Sequence, residues 1–348
     1  MRRLPAEWEP QSATLLTWPH AASDWSDILQ EADAAYTEIV ATILRFQPVI
    51  LVCFDQSHRQ QIQRRLNAKG VDLTHASLVI SKTNDTWVRD YGPITILHND
   101  QSLLLDFHFN AWGGKFAAEL DDACNQNLAT QGLFAGLPMQ SSSLTLEGGA
   151  IECDGQGTLM MVERTLLDPA RNPGRSKQAI EEQLRHSLGA RRFLWLEQGG
   201  LSGDDTDGHI DTLARFCTPD RICYQQCLDP NDPDFPALQA MEAELRNLRQ
   251  PDGAPYELIP LPHPGPIHDP QSGRRLPASY ANFLLLNDAV LLPIYKVAAD
   301  SLAMQQLACC FPDRKVVGID CRTLIRQNGS LHCATMQLPA AVALTAPE

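Results

Sequence analysis

In GHIDTLARF (Gly208 to Phe216) an imidazole and a carboxylate stand two residues apart, and strand alternation would set His209 and Asp211 on one face with Ile210 and Thr212 on the other. Such a pair is stable where it meets water or a ligand. Burying an unpaired carboxylate costs several kcal/mol, and the sequence supplies no obvious partner for one. Taken alone, the stretch fits a structural pair as well as a functional one. EGGAIE sets Glu147 ahead of two glycines that permit close backbone approach, although a turn before a strand reads the same way. Asp90 lies in RDYGP before a Gly-Pro turn, a common place for a structural aspartate. Cys333, in LHCATMQL, sits in what reads as a late apolar strand, the usual setting of a core cysteine. Its neighbour His332 should then face the opposite side as a structural residue.

Together these residue types compose a chemistry. A thiolate needs a base or a cationic neighbour to form, and His209 would serve Cys333 in that way. Asp90 and Asp211 would make a fork for a planar cation, and guanidinium is the planar cation whose donors match carboxylates two at a time. Held so, its carbon is open to the thiolate. His209 would protonate the departing nitrogen and then activate water against the thiouronium, with Glu147 holding the ring. The reaction is a deimination.

Elements must gather these residues from distant parts of the chain. Apolar positions recur at helical spacing from Trp25 to Leu44, with Ser23 as N-cap, and PVILVCF (Pro48 to Phe54) follows as a strand. Helix-then-strand pairs recur at 175–188 before RFLWL, at 235–249 before YELIPL and at 300–310 before KVVGID; a less periodic helix covers 117–131. A polar stretch leads into a hairpin four times: RDYGPITIL, LEGGAIEC, GHIDTLARF and YANFLLLN. With Asp90, Glu147, His209 and Asn282 as markers the intervals are 57, 62 and 73 residues, and each marker precedes a second apolar strand and a helix. LHCATMQL closes the series and would pair with SATLLTW near the start. Units of this kind bury their faces only against one another. The expected fold class is therefore α/β, with about five modules arranged radially in one domain over residues 1–348. An ordinary doubly wound sheet is the alternative, but it leaves the regular placing of the polar stretches unexplained.

Composition narrows the partners. The formal net charge of −14 speaks against nucleic acid and permits a cationic small molecule. No segment approaches the roughly 20 apolar residues of a membrane span, and MRRLPAEWEP has no apolar stretch behind its arginines, so no membrane partner and a cytoplasmic location are expected. The cysteines form no C-x-x-C pair, and Cys217, Cys223 and Cys227 match no zinc spacing.

The chain resembles the agmatine deiminases and the related bacterial peptidyl-arginine deiminases over nearly its whole length. The likeness rests on PAEWEPQSATLLTWPH, NDTWVRDYGP, FNAWGGKF, LEGGAIE, DGHIDT, FPDRKVVGID and LHCATMQLP, in the family's order. It implies a pseudo-symmetric five-module α/β propeller (the pentein fold), no metal or organic cofactor, and conversion of agmatine to N-carbamoylputrescine and ammonia in polyamine synthesis. By the same resemblance Cys333 is the nucleophile, His209 the general acid and base, Asp90 and Asp211 the guanidinium fork, and Glu147 the residue that orients the histidine. Trp87 falls beside the substrate's alkyl chain, and Asp85 and Trp112 belong with the substrate-binding residues. Asp205, four positions before the histidine, is placed to meet the distal ammonium, although the run Asp204, Asp205, Asp207 also reads as a solvated loop. Two departures concern that far end: QNGSLHC replaces a glycine-rich run, and Asp205 stands where a glutamate is common. A homodimer is compatible with all this. Rival readings are a peptidyl-arginine deiminase, an arginine deiminase or amidinotransferase, and a non-catalytic binding protein on the same fold, which would lack the Cys, His and carboxylate set.

Overall fold

The computed structural model describes residues 2–99 and 101–344. Five small sheets share one plan: an inner strand runs antiparallel to a middle strand, and after a helical connection a third strand joins the middle one in parallel. In chain order the three-strand sets are Ile94–His98, Gln101–His108 and Met139–Thr145; Ile151–Cys153, Thr158–Val162 and Arg192–Leu196; Ala214–Thr218, Arg221–Gln225 and Glu257–Leu261; Leu284–Leu285, Ala289–Ile294 and Lys315–Asp320. The fifth set takes its inner strand, Thr335–Pro339, from the far end of the sequence and pairs it with Gln11–Thr17, register Thr335 opposite Leu16, followed by Val49–Cys53 and a fourth strand, Ala76–Ile80. The expected five-module propeller is what the chain forms. Arg2–Arg3 adds a short edge strand beside Ile94–His98.

The helices follow the sequence pattern because each buries one stripe. Lys177–Leu188 begins where the Ser176 hydroxyl accepts from the Ala179 amide and ends at Gly189, whose φ of 73° suits glycine. Its Ile180, Leu184 and Leu188 are buried on one face, each such side chain contributing about 1.5–3 kcal/mol. Two helices differ from expectation. The first starts as a 3-10 turn at Ser26–Ile28 and becomes α-helical at Leu29–Ile43; Ser23 is no cap, because Trp25 is the residue that precedes the turn and no side chain caps it there, while the Ser23 hydroxyl donates to the His20 carbonyl. The segment expected as one helix at 117–131 divides into Glu119–Asp122 and Cys124–Thr130.

The larger correction concerns the polar stretches that precede the inner strands. None is itself a strand. Asp90 lies in the helical turn Val88–Tyr91, Glu147 precedes the 3-10 turn Gly148–Ala150, His209 precedes Ile210–Thr212, and Cys333 lies in the turn before Thr335. Strand alternation therefore does not govern which way His209, Asp211, His332 or Cys333 point. Among the described residues no helix is long and apolar enough to cross a membrane.

Candidate active site

These turns converge. Asp90, Glu147, His209, Asp211 and Cys333 are each no more than 6% exposed and surround one point, although they come from four different modules. Gly149 marks the spot: a Cβ there would meet His209 Nδ1 at 2.6 Å, Asp90 Oδ1 at 2.8 Å and Asp211 Oδ2 at 3.2 Å. The second glycine of EGGAIE is thus required by the approach of three functional side chains.

The thiol of Cys333 lies 3.6 Å from Asp211 Oδ2 and accepts from Asn282 Nδ2 at 3.2 Å. Burial, with the charges of Asp211 and Asp90, pushes that thiol well above its usual range. His209 Nε2 meets Glu147 Oε2 at 3.3 Å, and His209 Nδ1 faces Asp90 Oδ1 at 3.6 Å. Burial opposes a charge on this ring, but Asp90, Glu147 and Asp211 outweigh it and raise the imidazole to about 9, so it is an imidazolium at neutral pH. Glu147 is held below the usual carboxylate range against its burial by His209 and by Arg171, which bonds it through Nε at 2.8 Å.

Asp90 is raised to about 6, by burial first and by Asp211 and Glu147 after it, with His209 opposing. Its Oδ1 accepts from the Gly149 amide at 3.0 Å and its Oδ2 from Trp112 Nε1 at 2.9 Å. Asp211 stays low although buried, through His332 and His209, and its Oδ1 has no hydrogen-bond partner. An unsatisfied buried acceptor costs roughly 1–3 kcal/mol, more when charged, so a donor arriving at this oxygen is bound strongly.

The turn that carries Cys333 is held from NDTWVRDYGP. The Arg89 amide donates to the Cys333 carbonyl at 3.2 Å, its Nε to the His332 carbonyl at 3.3 Å and its Nη1 to Gln337 Oε1 at 2.5 Å. The arginine of that motif supports the turn that carries Cys333, while Asp90 faces the cavity. Trp112 sits in a strained turn: Ala111 and Trp112 have φ of 50° and 55°, each costing of order 1–3 kcal/mol, and the turn is fastened by Gly113 N donating to Asn110 Oδ1.

A cleft leads from this centre to solvent, bordered by Trp87, Trp112 and Phe116 on its walls and by Asp24, Asp85 and Asp205 along its length. Asp85 Oδ1 already accepts from Trp25 Nε1 and the Thr86 amide, which ties that wall together. Asp205 is half-buried, and its Oδ2 accepts from Asn328 Nδ2 at 2.6 Å. Its two neighbours do other work: Asp204 caps Thr206 and Gly208 within the loop, and Asp207 pairs with Lys115 and Arg171.

His332 differs from the sequence expectation. Its ring turns toward the site and bonds Asp211 Oδ2 through Nδ1 at 2.7 Å. Asn282, Arg171, Arg89 and Asp24 were not read as site residues from the sequence. Asn282 was legible, since it occupies the same place in its module as Asp90 and Glu147 do in theirs. Cys227 groups with Asp232 and His263 rather than with Cys217 and Cys223; Asp232 there already pairs with Arg275, so that cluster carries its own cation, apart from the cleft.

A five-module propeller with a thiol, an imidazole and carboxylates around its centre is the construction of the guanidine-modifying enzymes, the class that fold and site define. Within that class the chain belongs to the Porphyromonas-type peptidyl-arginine deiminase family, whose family model matches residues 3–339. It is 34% identical to a Vibrio parahaemolyticus protein named as a candidate agmatine deiminase, over 97% of this chain and 96% of the other. A cysteine-to-serine variant of C. jejuni agmatine deiminase with substrate bound superposes with a TM-score of 0.89 at 37% identity, covering 97% and 96% of the two chains. The agmatine deiminase of Enterococcus faecalis gives 0.88 at 29%, covering 98% and 96%.

Proposed function

We propose that the protein hydrolyses agmatine to N-carbamoylputrescine and ammonia, a step toward putrescine. The observation that carries the choice of substrate is the charge of the cleft. Asp24, Asp85, Asp90 and Asp205 line it, and neither lysine nor arginine does. A substrate with a cation at each end suits such a cleft, whereas the α-carboxylate of free arginine would meet like charge with no partner.

The guanidinium enters between Asp90 and Asp211 and donates to both, including the unpartnered Oδ1 of Asp211. Its charge offsets the two carboxylates that hold the Cys333 thiol high, so on substrate binding the thiol releases its proton to solvent through the cleft and becomes the thiolate, while His209 keeps its own proton. The sulfur attacks the guanidinium carbon, and the His209 imidazolium gives its proton to the departing amino group, which leaves as ammonia. The ring, now neutral, takes a proton from water as that water adds to the thiouronium carbon; the C–S bond breaks and the ureido product leaves. Glu147, fixed by Arg171, keeps the ring aimed throughout. Farther out, Trp87 and Trp112 flank the alkyl chain and Asp205 receives the distal ammonium.

The test is ureido-product formation with agmatine, free arginine and a peptidyl-arginine ester side by side, with Cys333→Ala as blank. Turnover confined to agmatine is expected. Preference for the ester would move the function to protein-arginine deimination, and no turnover of any of the three would remove the reading.

A further inference from the structure

The motif PAEWEPQSATLLTWPH has no part in the chemistry above, yet its glutamate reaches the centre from behind. Glu7 is 7% exposed, and its Oε2 lies 2.8 Å from His332 Nε2; the opposite nitrogen of the same ring is the one that bonds Asp211 Oδ2 at 2.7 Å. One imidazole, itself 2% exposed, thus bridges two carboxylates. A neutral ring has one N–H to give, so it donates to one of these carboxylates at a time unless a second proton joins the three groups. Glu7 is anchored in turn. Arg215 Nη2 donates to its Oε2 at 2.5 Å, and the Leu285 amide donates to its Oε1 at 3.0 Å. Arg215, fully buried, also bonds Glu152 through Nε at 2.7 Å and donates to the Phe283 carbonyl at 3.0 Å.

We propose that Glu7 and His332 form a positioning relay for the nucleophile. The pair holds Asp211 Oδ2 and shares a proton with it, which moderates the negative charge beside the Cys333 thiol and leaves Asp211 Oδ1 free for the guanidinium. Neither residue touches substrate. Both act through Asp211.

The geometry explains two otherwise unconnected features. A carboxylate 3.6 Å from a thiol opposes thiolate formation, and a proton shared at that same oxygen weakens that opposition. The fixed bond at Oδ2 also accounts for Oδ1 being the unpartnered oxygen. The charged groups facing this ring and its partners are Glu7 and Asp211 in direct contact, Arg89 through the His332 carbonyl, Arg215 and Glu152 beyond Glu7, and Asp90 and His209 across Cys333. A second cleft, sharing no lining residue with the substrate cleft, is bordered by Glu7, Arg89, Glu152 and His332. It gives small molecules a route to the relay from behind.

The relay rests on Cys333 being the nucleophile, so its test needs an arm that is independent of substrate. Alkylation of Cys333 by iodoacetamide, read by mass at that residue across pH, reports thiolate formation without any guanidine. In Glu7→Gln and in His332→Ala the alkylation profile should move to higher pH, about tenfold slower at a given pH on its acid side. With agmatine, kcat should fall about tenfold or more while KM stays within about twofold. Imidazole added to His332→Ala should restore part of the rate with saturation. Should His332→Ala fail to fold, the nearly isosteric Glu7→Gln decides. A folded Glu7→Gln that alkylates and turns over like the parent would overturn the relay. A parent that turns over no guanidine would remove the functional reading and leave the alkylation comparison to judge the relay.

Discussion

Trp112 donates its indole N–H to Oδ2 of Asp90, the oxygen opposite the one that takes the Gly149 amide. Asp90 thus has its carboxylate plane fixed by two donors. The indole holds its place against the backbone strain at Ala111 and Trp112, so this bond links the strained turn to the guanidinium fork. Trp112→Phe keeps an aromatic ring of smaller size and removes the donor. A hydrogen bond to a charged group contributes about 1.5–3 kcal/mol, so kcat/KM for agmatine should fall roughly 10- to 150-fold with the melting temperature little changed. Steady-state kinetics beside a thermal melt would check it.

Cys333→Ala should yield no ureido product above blank while keeping the parent's circular dichroism and thermal transition. The side chain is small and buried, and its loss removes one sulfur from a site already crowded by Asn282 and Asp211. Retained turnover would take the nucleophile role from this residue.

Asp205→Asn should raise KM for agmatine about 10-fold or more and leave an uncharged alkylguanidine nearly unaffected, because in the proposed binding mode the lost charge serves the distal ammonium and not the guanidinium. Equal losses on both compounds would show that Asp205 does not read that charge. Its bond from Asn328 makes Asn328→Ala a milder version of the same change.

The free protein's kcat/KM should be bell-shaped in pH. Activity should rise with pH because Asp90, raised to about 6, must be ionised to hold the cation and the Cys333 thiol, held above its usual range, must lose its proton, and it should fall as His209, raised to about 9, loses the proton that releases ammonia. The sign for stability follows from the same ring. A histidine whose folded pKa is raised above 6.5 contributes fully below that value and loses its contribution as pH rises through about 9. Denaturant midpoints should therefore decline across that alkaline window in the parent and less in His209→Gln. A profile flat from pH 5 to 10, an interval set about these two groups, would contradict both assignments.

Gly149→Ala should abolish activity even if the protein folds. The added methyl would come within 2.6 Å of His209 Nδ1 and 2.8 Å of Asp90 Oδ1, so the functional side chains must move apart to admit it. Crystals of the variant would show that displacement, and wild-type rates would refute it.

Why some of this was legible in the sequence and some was not has a physical basis. The five modules could be read because each inner strand is apolar and each lead-in is polar, a contrast that survives without knowledge of the fold. The strand alternation inferred for His209 with Asp211 was mistaken, since both occupy a turn, yet the inference that they face one space held because the turn also brings them together. For His332 the same mistake gave the wrong direction, toward the opposite side rather than toward Asp211. Glu7 lies 325 positions before that histidine, and no local pattern announces a contact at such separation. Arg171 and Arg89 carry no periodic signal either; their roles are set by what folds against them.

The strand that follows Cys333 is completed by Gln11–Thr17, so the two partners of one hairpin are separated by most of the chain. Closing so long a loop is entropically expensive and slow compared with the local hairpins of the other four modules. In the sequence the strands of those four all precede residue 335, while the first strand has one edge that only Thr335–Pro339 covers. Chemical competence therefore arrives last. The thiol meets its imidazole, its carboxylates and its asparagine only when the ring shuts, and a chain interrupted before that point has the cage and no Cys333.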